Sequence, residues 1–227
     1  METKFVMMSR DGTNTVRTSE PHSNHMIERQ YELLSLLGFR FGPSGPHAAR
    51  TMMLDELRQL FEYTSPEAER PDYVAAIVDA NTLGKPTRRA RELTLRYLTA
   101  LYGLEISNPI FRALRRLWPL NEAAQPLLAL AASLARDSLL RSTQPFIQAL
   151  PIGASVPRAA VEDFLSHQYP DRFSPASLKS FAQNVAGTWT AAGLLSGHRN
   201  KVRARPQAHP ESVSMLLFLG LSAPIQI

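Results

Sequence analysis

Cysteine is absent from this 227-residue chain. That excludes a disulfide framework, thiolate metal ligands, a cysteine nucleophile and a cysteine-held iron–sulfur cluster, and it suits a reducing compartment. Long hydrophobic runs are missing too: the longest, 126–135 and 215–221, fall well short of the ~20 residues of a membrane-spanning helix. The first 25 residues are mostly polar, with no apolar stretch of signal-peptide length, so a flexible leader and a cytoplasmic location are expected. The common catalytic signatures are also lacking: no Walker loop, no G-x-G-x-x-G, no G-x-S-x-G and no H-E-x-x-H occurs. The six histidines show neither i, i+4 pairing nor a spacing with carboxylates that suits a metal site. A non-enzymatic protein is therefore expected, with no catalytic residues, no metal and no cofactor.

Alternating strand patterns are nearly absent, and what replaces them is helical text punctuated by 17 prolines. Ser44, Ser65, Asn108, Ser155 and Ser174 each stand just before a proline. There a side-chain oxygen can cap orphan N–H groups, and the proline's missing N–H costs nothing in a first helical turn. Apolar residues then recur at three and four, as in Ala90, Leu93, Tyr97 and Leu101, and in Leu178, Phe181, Val185, Trp189 and Ala192. This predicts helices near 46–62, 71–80, 87–102, 109–118, 122–141, 144–149, 157–168, 175–192 and 210–220, with Trp189 in the core. The exception is 194–205, where two short runs flank Gly197–Asn200 as in a hairpin. The expected fold class is all-α, mainly helical, with a short β-hairpin wing and helix-turn-helix or winged-helix-like modules. Three segments are expected: a flexible leader and entry over 1–42, an N-terminal helical domain over 43–150, and a C-terminal winged-helix-like domain over 151–227.

The formal charge of +5 conceals a strong segregation. Residues 51–80 set Arg58 and Arg70 against seven carboxylates, whereas 81–120 hold eight cations against Glu92 and Glu105. Residues 173–210 carry Lys179, Arg199, Lys201, Arg203 and Arg205 and no acid at all. Basic regions of this kind are the electrostatic footprint of a polyanion-binding surface. On a helical wheel of 175–192, Lys179, Ser180, Gln183, Asn184, Gly187 and Thr190 lie opposite the apolar stripe. Gly187 costs about 1 kcal/mol in a helix interior relative to Ala, which a close approach by another backbone or by nucleic acid would explain. Gly193 reads as the left-handed cap that ends this helix. A polar helix face or a basic loop alone is ordinary solvated surface. Helix, helix, basic hairpin and final helix in succession is the order of a winged helix-turn-helix, whose second helix enters the major groove.

A second basic helix comes after the turn Asn81–Lys85, so that Lys85, Arg88 and Arg89 are further candidate DNA contacts, with Arg96 on the same outward face. Glu92 stands four residues from both Arg88 and Arg96, and a surface ion-pair network accounts for that face economically. The candidate DNA-binding set is thus Lys179, Ser180, Gln183, Asn184, Thr190, Arg199, Lys201, Arg203 and Arg205, with Lys85, Arg88 and Arg89.

Two stretches, together about half the chain, resemble the BrxA family, the small A protein of bacteriophage-exclusion (BREX) defence systems. One is Asn81-Thr82-Leu83-Gly84-Lys85-Pro86-Thr87 with the Arg-rich helix after it; the other runs from Phe173 and Ser177-Leu178 through Trp189 and Ala192-Gly193-Leu194-Leu195 into the basic turn. The resemblance implies a non-enzymatic, all-helical DNA-binding component of an antiviral operon, with helix-turn-helix-like modules, working beside a methyltransferase and an ATPase. It brings no catalytic residue with it. The expected partner is double-stranded DNA and no membrane. A protein-interaction adaptor using the acidic helices of 51–80, or a helical RNA-binding factor, are the alternatives the residues leave open.

Overall fold

The computed structural model describes residues 21–43 and 45–222, with side chains over 28–43 and 45–220. It is mainly helical with one two-stranded antiparallel hairpin. In chain order the elements are α1 (Pro21–Leu37), a 3₁₀ turn (Pro46–Ala48), α2 (Leu54–Tyr63), α3 (Arg70–Val74) running on into a π-helical turn (Ala75–Asp79), α4 (Arg88–Tyr102), α5 (Pro109–Leu117), α6 (Gln125–Arg136), α7 (Ser138–Arg141), α8 (Gln144–Ala149), α9 (Arg158–Gln168), α10 (Pro175–Ala191), β1 (Leu195–Ser196), β2 (Val202–Arg203) and α11 (Pro210–Ser222). Among the described residues no helix is long and apolar enough to cross a membrane.

Several of the expected starts are built as the sequence suggests. Asn108 caps α5 through Ile110 and Phe111 N–H, Thr87 caps α4 through Ala90 N–H, and Ser174 caps α10 through Ser177 N–H. Three expectations are corrected. The segment 1–42 is not all leader and entry, because α1 occupies 21–37; among its described side chains Leu34 is buried while Leu33 and Leu36 are exposed. The expected leader over 1–20 lies outside the described residues. The helix expected over 46–62 is broken: after the 3₁₀ turn residues 50–53 have no regular structure, and Met53, at φ 53, starts α2 from the left-handed region. Tyr102 Oη donates to the Met52 carbonyl, and Met52 N–H is bonded across the molecule, so this stretch spends its backbone groups on tertiary partners. The helix expected over 122–141 divides at Asp137, which leaves helical geometry to cap α7 through Leu139 and Leu140 N–H.

One hydrophobic cluster runs from Met52 to Met215, through both the N-terminal helices and the winged-helix segment. Trp189 is buried in it with its indole N–H on Thr143 Oγ1 at 3.0 Å. α11 packs back onto α5 and α6, and α10 lies across the 3₁₀ turn. Arg136 ties the end of α1 to α4: its guanidinium donates to the carbonyls of Gly38, Thr99 and Ala100. Burial, with the nearby Arg40 charge, lowers its pKa to about 10, so it remains a cation at neutral pH.

The junction between entry segment and α10 is polar and sealed. His47, Asp137 and Thr188 are each fully buried. Asp137 Oδ2 accepts from His47 N–H at 2.9 Å and lies 2.7 Å from His47 Nδ1, while Nε2 lies 2.8 Å from Thr188 Oγ1. That hydroxyl oxygen also accepts Met52 N–H at 2.9 Å. Hydroxyl, imidazole and carboxylate stand in the order of a hydrolase triad. Here the hydroxyl faces a backbone amide inside the core and meets no solvent, so the trio works as a clasp.

Candidate nucleic-acid interface

The C-terminal segment has the connectivity of a winged helix. Extended chain at Ser155 bridges Val202 of β2, which in turn pairs with β1 through Ser196↔Val202 and Leu195↔Arg203. Gly153 and Val156 N–H donate to the carbonyls of Arg203 and Lys201, and Arg203 N–H donates to Ala154 O, so β2 is central in this small sheet. Between the Ser155 bridge and β1 run α9, the turn 169–174 and α10. Phe173 fixes the turn by packing on Tyr169 and on Phe181 of α10, with ring centroids 5.9 and 5.3 Å away. Gly193, at φ 78, closes α10, with Leu194 N–H reaching back to Trp189 O. Gly197, at φ 92, is required in the wing: a Cβ there would stand 2.2 Å from Asn200 O.

This frame sorts the twelve candidate residues. Lys179, Ser180 and Gln183 lie exposed on the N-terminal half of α10, and Arg199 and Arg205 are exposed at and beyond the wing. None of the three charged groups among them has a carboxylate within ion-pair distance among the described residues. The other candidates of this module serve the fold. Arg203 donates to the carbonyls of Ile147, Leu194 and Ala204 and braces the hairpin onto α8. Lys201, half-buried with its pKa lowered by desolvation, donates to Thr190 Oγ1 at 2.7 Å, and the Thr190 hydroxyl donates to Ala186 O. Asn184 donates to His47 O at 3.2 Å. Gly187 admits the entry segment, since a Cβ there would meet Thr51 Cγ2 at 3.2 Å.

In the N-terminal pair of helices, Asn81 and Gly84 take positive φ in a tight turn, and Asn81 Oδ1 accepts Lys85 N–H. Lys85 is ion-paired with Glu56 and Arg88 with Glu92, each at 3.0 Å, whereas Arg89 is exposed with no ion pair among the described residues. Sequence reasoning missed Arg50, whose guanidinium lies 5.2 Å from the centre of the Tyr97 ring; Arg96 lies 5.4 Å from the same centre. It also missed Arg40 and Arg70, which meet Arg96 around a groove of about 400 Å³. These arginines come from separate elements, so no run of basic residues announces them.

No family model matches the chain, and no curated protein matches it.

Proposed function

We propose that the protein binds double-stranded DNA without catalysing a reaction on it, presenting the N-terminal half of α10 to the major groove and the wing tip to the phosphate backbone. The observation that carries this reading is the acid-free, solvent-exposed face of Lys179, Ser180 and Gln183 on the second helix of a winged-helix arrangement, with Arg199 exposed in the wing turn that follows it. Lysine and arginine neutralise phosphates, and amide and hydroxyl groups read or brace base edges and sugars. The residues that resemble BrxA extend the proposal to a component of a BREX-type anti-phage system in the cytoplasm, acting beside a methyltransferase and an ATPase.

Lys179, Arg199 and Arg205 set the electrostatic expectation. If each touches one phosphate, this module contributes roughly −2.7 to the slope of log K against log salt, less than the total number of cations in its sequence suggests. A fluorescence-anisotropy titration with a labelled duplex at several salt concentrations measures it. Binding that is absent at low salt, or indifferent to salt, would rule the proposal out. Competition by structured RNA at equal or greater strength would assign the face to RNA instead.

A second reading is favoured by one surface. Glu67, Asp72 and Asp79, with the exposed ring of Tyr63, line a groove of about 530 Å³ between α2 and α3, suited to a basic protein partner. Co-purification of a partner that survives nuclease treatment and disappears on charge reversal of Asp72 and Asp79 would support that adaptor role.

A further inference from the structure

Two neighbours cover the C-terminal half of the polar face of α10: Lys201 reaches from the wing to Thr190, and Thr51 of the entry segment lies against Gly187. Arg50, the adjoining residue of that segment, is exposed and leans over Tyr97 of α4, and Arg96 approaches the same ring. The exposed residues Ala49, Arg50 and Thr51 thus link α10 to α4 on the solvent side of the entry segment.

Arginine predominates along this continuation, with Glu92 the acid that lines its grooves. Arg40, Arg50, Arg70, Arg89 and Arg96 are exposed, and none has a carboxylate within 4.0 Å among the described residues. Two grooves run beside α4, of about 430 and 400 Å³; they share Arg96 and Glu92. Glu92 is already held by Arg88. Two guanidinium groups approach one tyrosine ring, and this local concentration of positive charge favours an anion beside them. Every cation here is arginine, whose planar fork gives two hydrogen bonds to one phosphate.

We infer that Arg50 and Arg96 at the Tyr97 ring, with Arg40, Arg70 and Arg89 beside them, form a second phosphate-contact site continuous with the α10 face, so that one DNA duplex is held by both at once. The inference rests on the duplex-binding reading of α10. It deepens that reading by fixing the extent of the footprint. A duplex served by both must reach past the α10 face to the arginines beside Tyr97, so its footprint is longer than that of the C-terminal module alone.

The test compares the wild-type chain with R50A/R89A/R96A and with R50K/R89K/R96K, on a duplex of about 30 base pairs (~100 Å at 3.4 Å per step) and on a hairpin duplex of about 10. All three positions are exposed, and thermal melting checks that each variant is folded. On the long duplex the alanine variant is expected to flatten the salt slope by up to about 2.7, at roughly 0.9 for each phosphate no longer neutralised. The lysine variant is expected to keep most of the slope, and on the short hairpin all three proteins are expected to bind alike. An alanine variant with the full wild-type slope on the long duplex overturns the second site while leaving α10 binding intact. Two duplexes bound per chain overturn the continuous track in favour of separate sites. No binding of either duplex by the wild type overturns the reading beneath it.

Discussion

Asp137→Asn is expected to lower folding stability by about 3 kcal/mol or more, which for a chain of this size is a fall in Tm on the order of 10 °C. The choice of asparagine isolates the clasp. Its side-chain oxygen still accepts the N–H groups of Leu139 and Leu140 that Asp137 Oδ1 caps, so α7 keeps its cap. The variant instead removes the carboxylate against His47 Nδ1 and His47 N–H, both buried, where an uncompensated polar group costs far more than at the surface. Total stability of a domain is about 5–15 kcal/mol, so the loss is a large share of it. His47→Ala should cost a similar amount, and the double variant much less than the sum, because each single change already breaks the shared interaction. Urea denaturation of the four proteins gives the cycle; additive losses would mean that His47 and Asp137 contribute independently.

The same pair sets an acid limit. Burial raises the Asp137 pKa, but His47, by hydrogen bond and charge, and the N–H groups of His47 and Leu140 outweigh it, and the carboxyl ends below its ordinary value. A depressed folded-state pKa gives stability that is complete above the unfolded value near 3.9 and disappears as pH falls through the folded one. Asp137→Asn should therefore flatten the acid limb of the stability profile.

Arg203→Ala and Arg199→Ala are expected to fail in opposite ways. Four residues apart in one basic run, they look equivalent in sequence. Arg203 holds three carbonyls that join hairpin, α8 and the end of α10, and removing it should cost about 2–3 kcal/mol. Arg199 is exposed with no ion pair among the described residues, and its removal should change stability by no more than about 0.5 kcal/mol. In DNA titrations the order reverses: Arg199→Ala should remove about 0.9 from the salt slope, while Arg203→Ala, measured below its melting range, should leave the slope in place. Arg203→Ala with wild-type stability and a flattened slope would return it to the proposed phosphate contacts.

That contrast shows what a chain can and cannot disclose before it folds. Local chemistry was readable: Asn108 and Ser174 before their prolines do cap α5 and α10, and the hairpin forms around Gly197. Ser65 before Pro66 has the same signature, yet it holds Glu67 in a turn and α3 starts at Arg70 from Glu69. A proline motif marks a change of direction, and the residues after it decide between helix and turn. The candidate site was legible as a region and poorly as a set of residues. Charge and wheel position placed Lys179, Ser180 and Gln183 correctly on an exposed face, but they could not tell Arg199 from Arg203, since the carbonyls that take up Arg203 lie as far back as Ile147. The clasp was invisible for the same reason: its members are 90 and 141 residues apart from His47, and no local pattern records such a pairing.

The segment 46–52, laid against α10 at Gly187 and Thr188, carries a consequence for portability. The winged helix does not own all the walls it leans on. Excised as 151–227, it would leave the hydroxyl of Thr188 and the amide of Asn184 without the partners supplied by His47 and Met52, and α11 without the α5–α6 floor it packs on. Transplanting this module into another protein therefore requires moving the N-terminal strap and its helices as well, and the exposed face of α10 travels only with the chain that supports it.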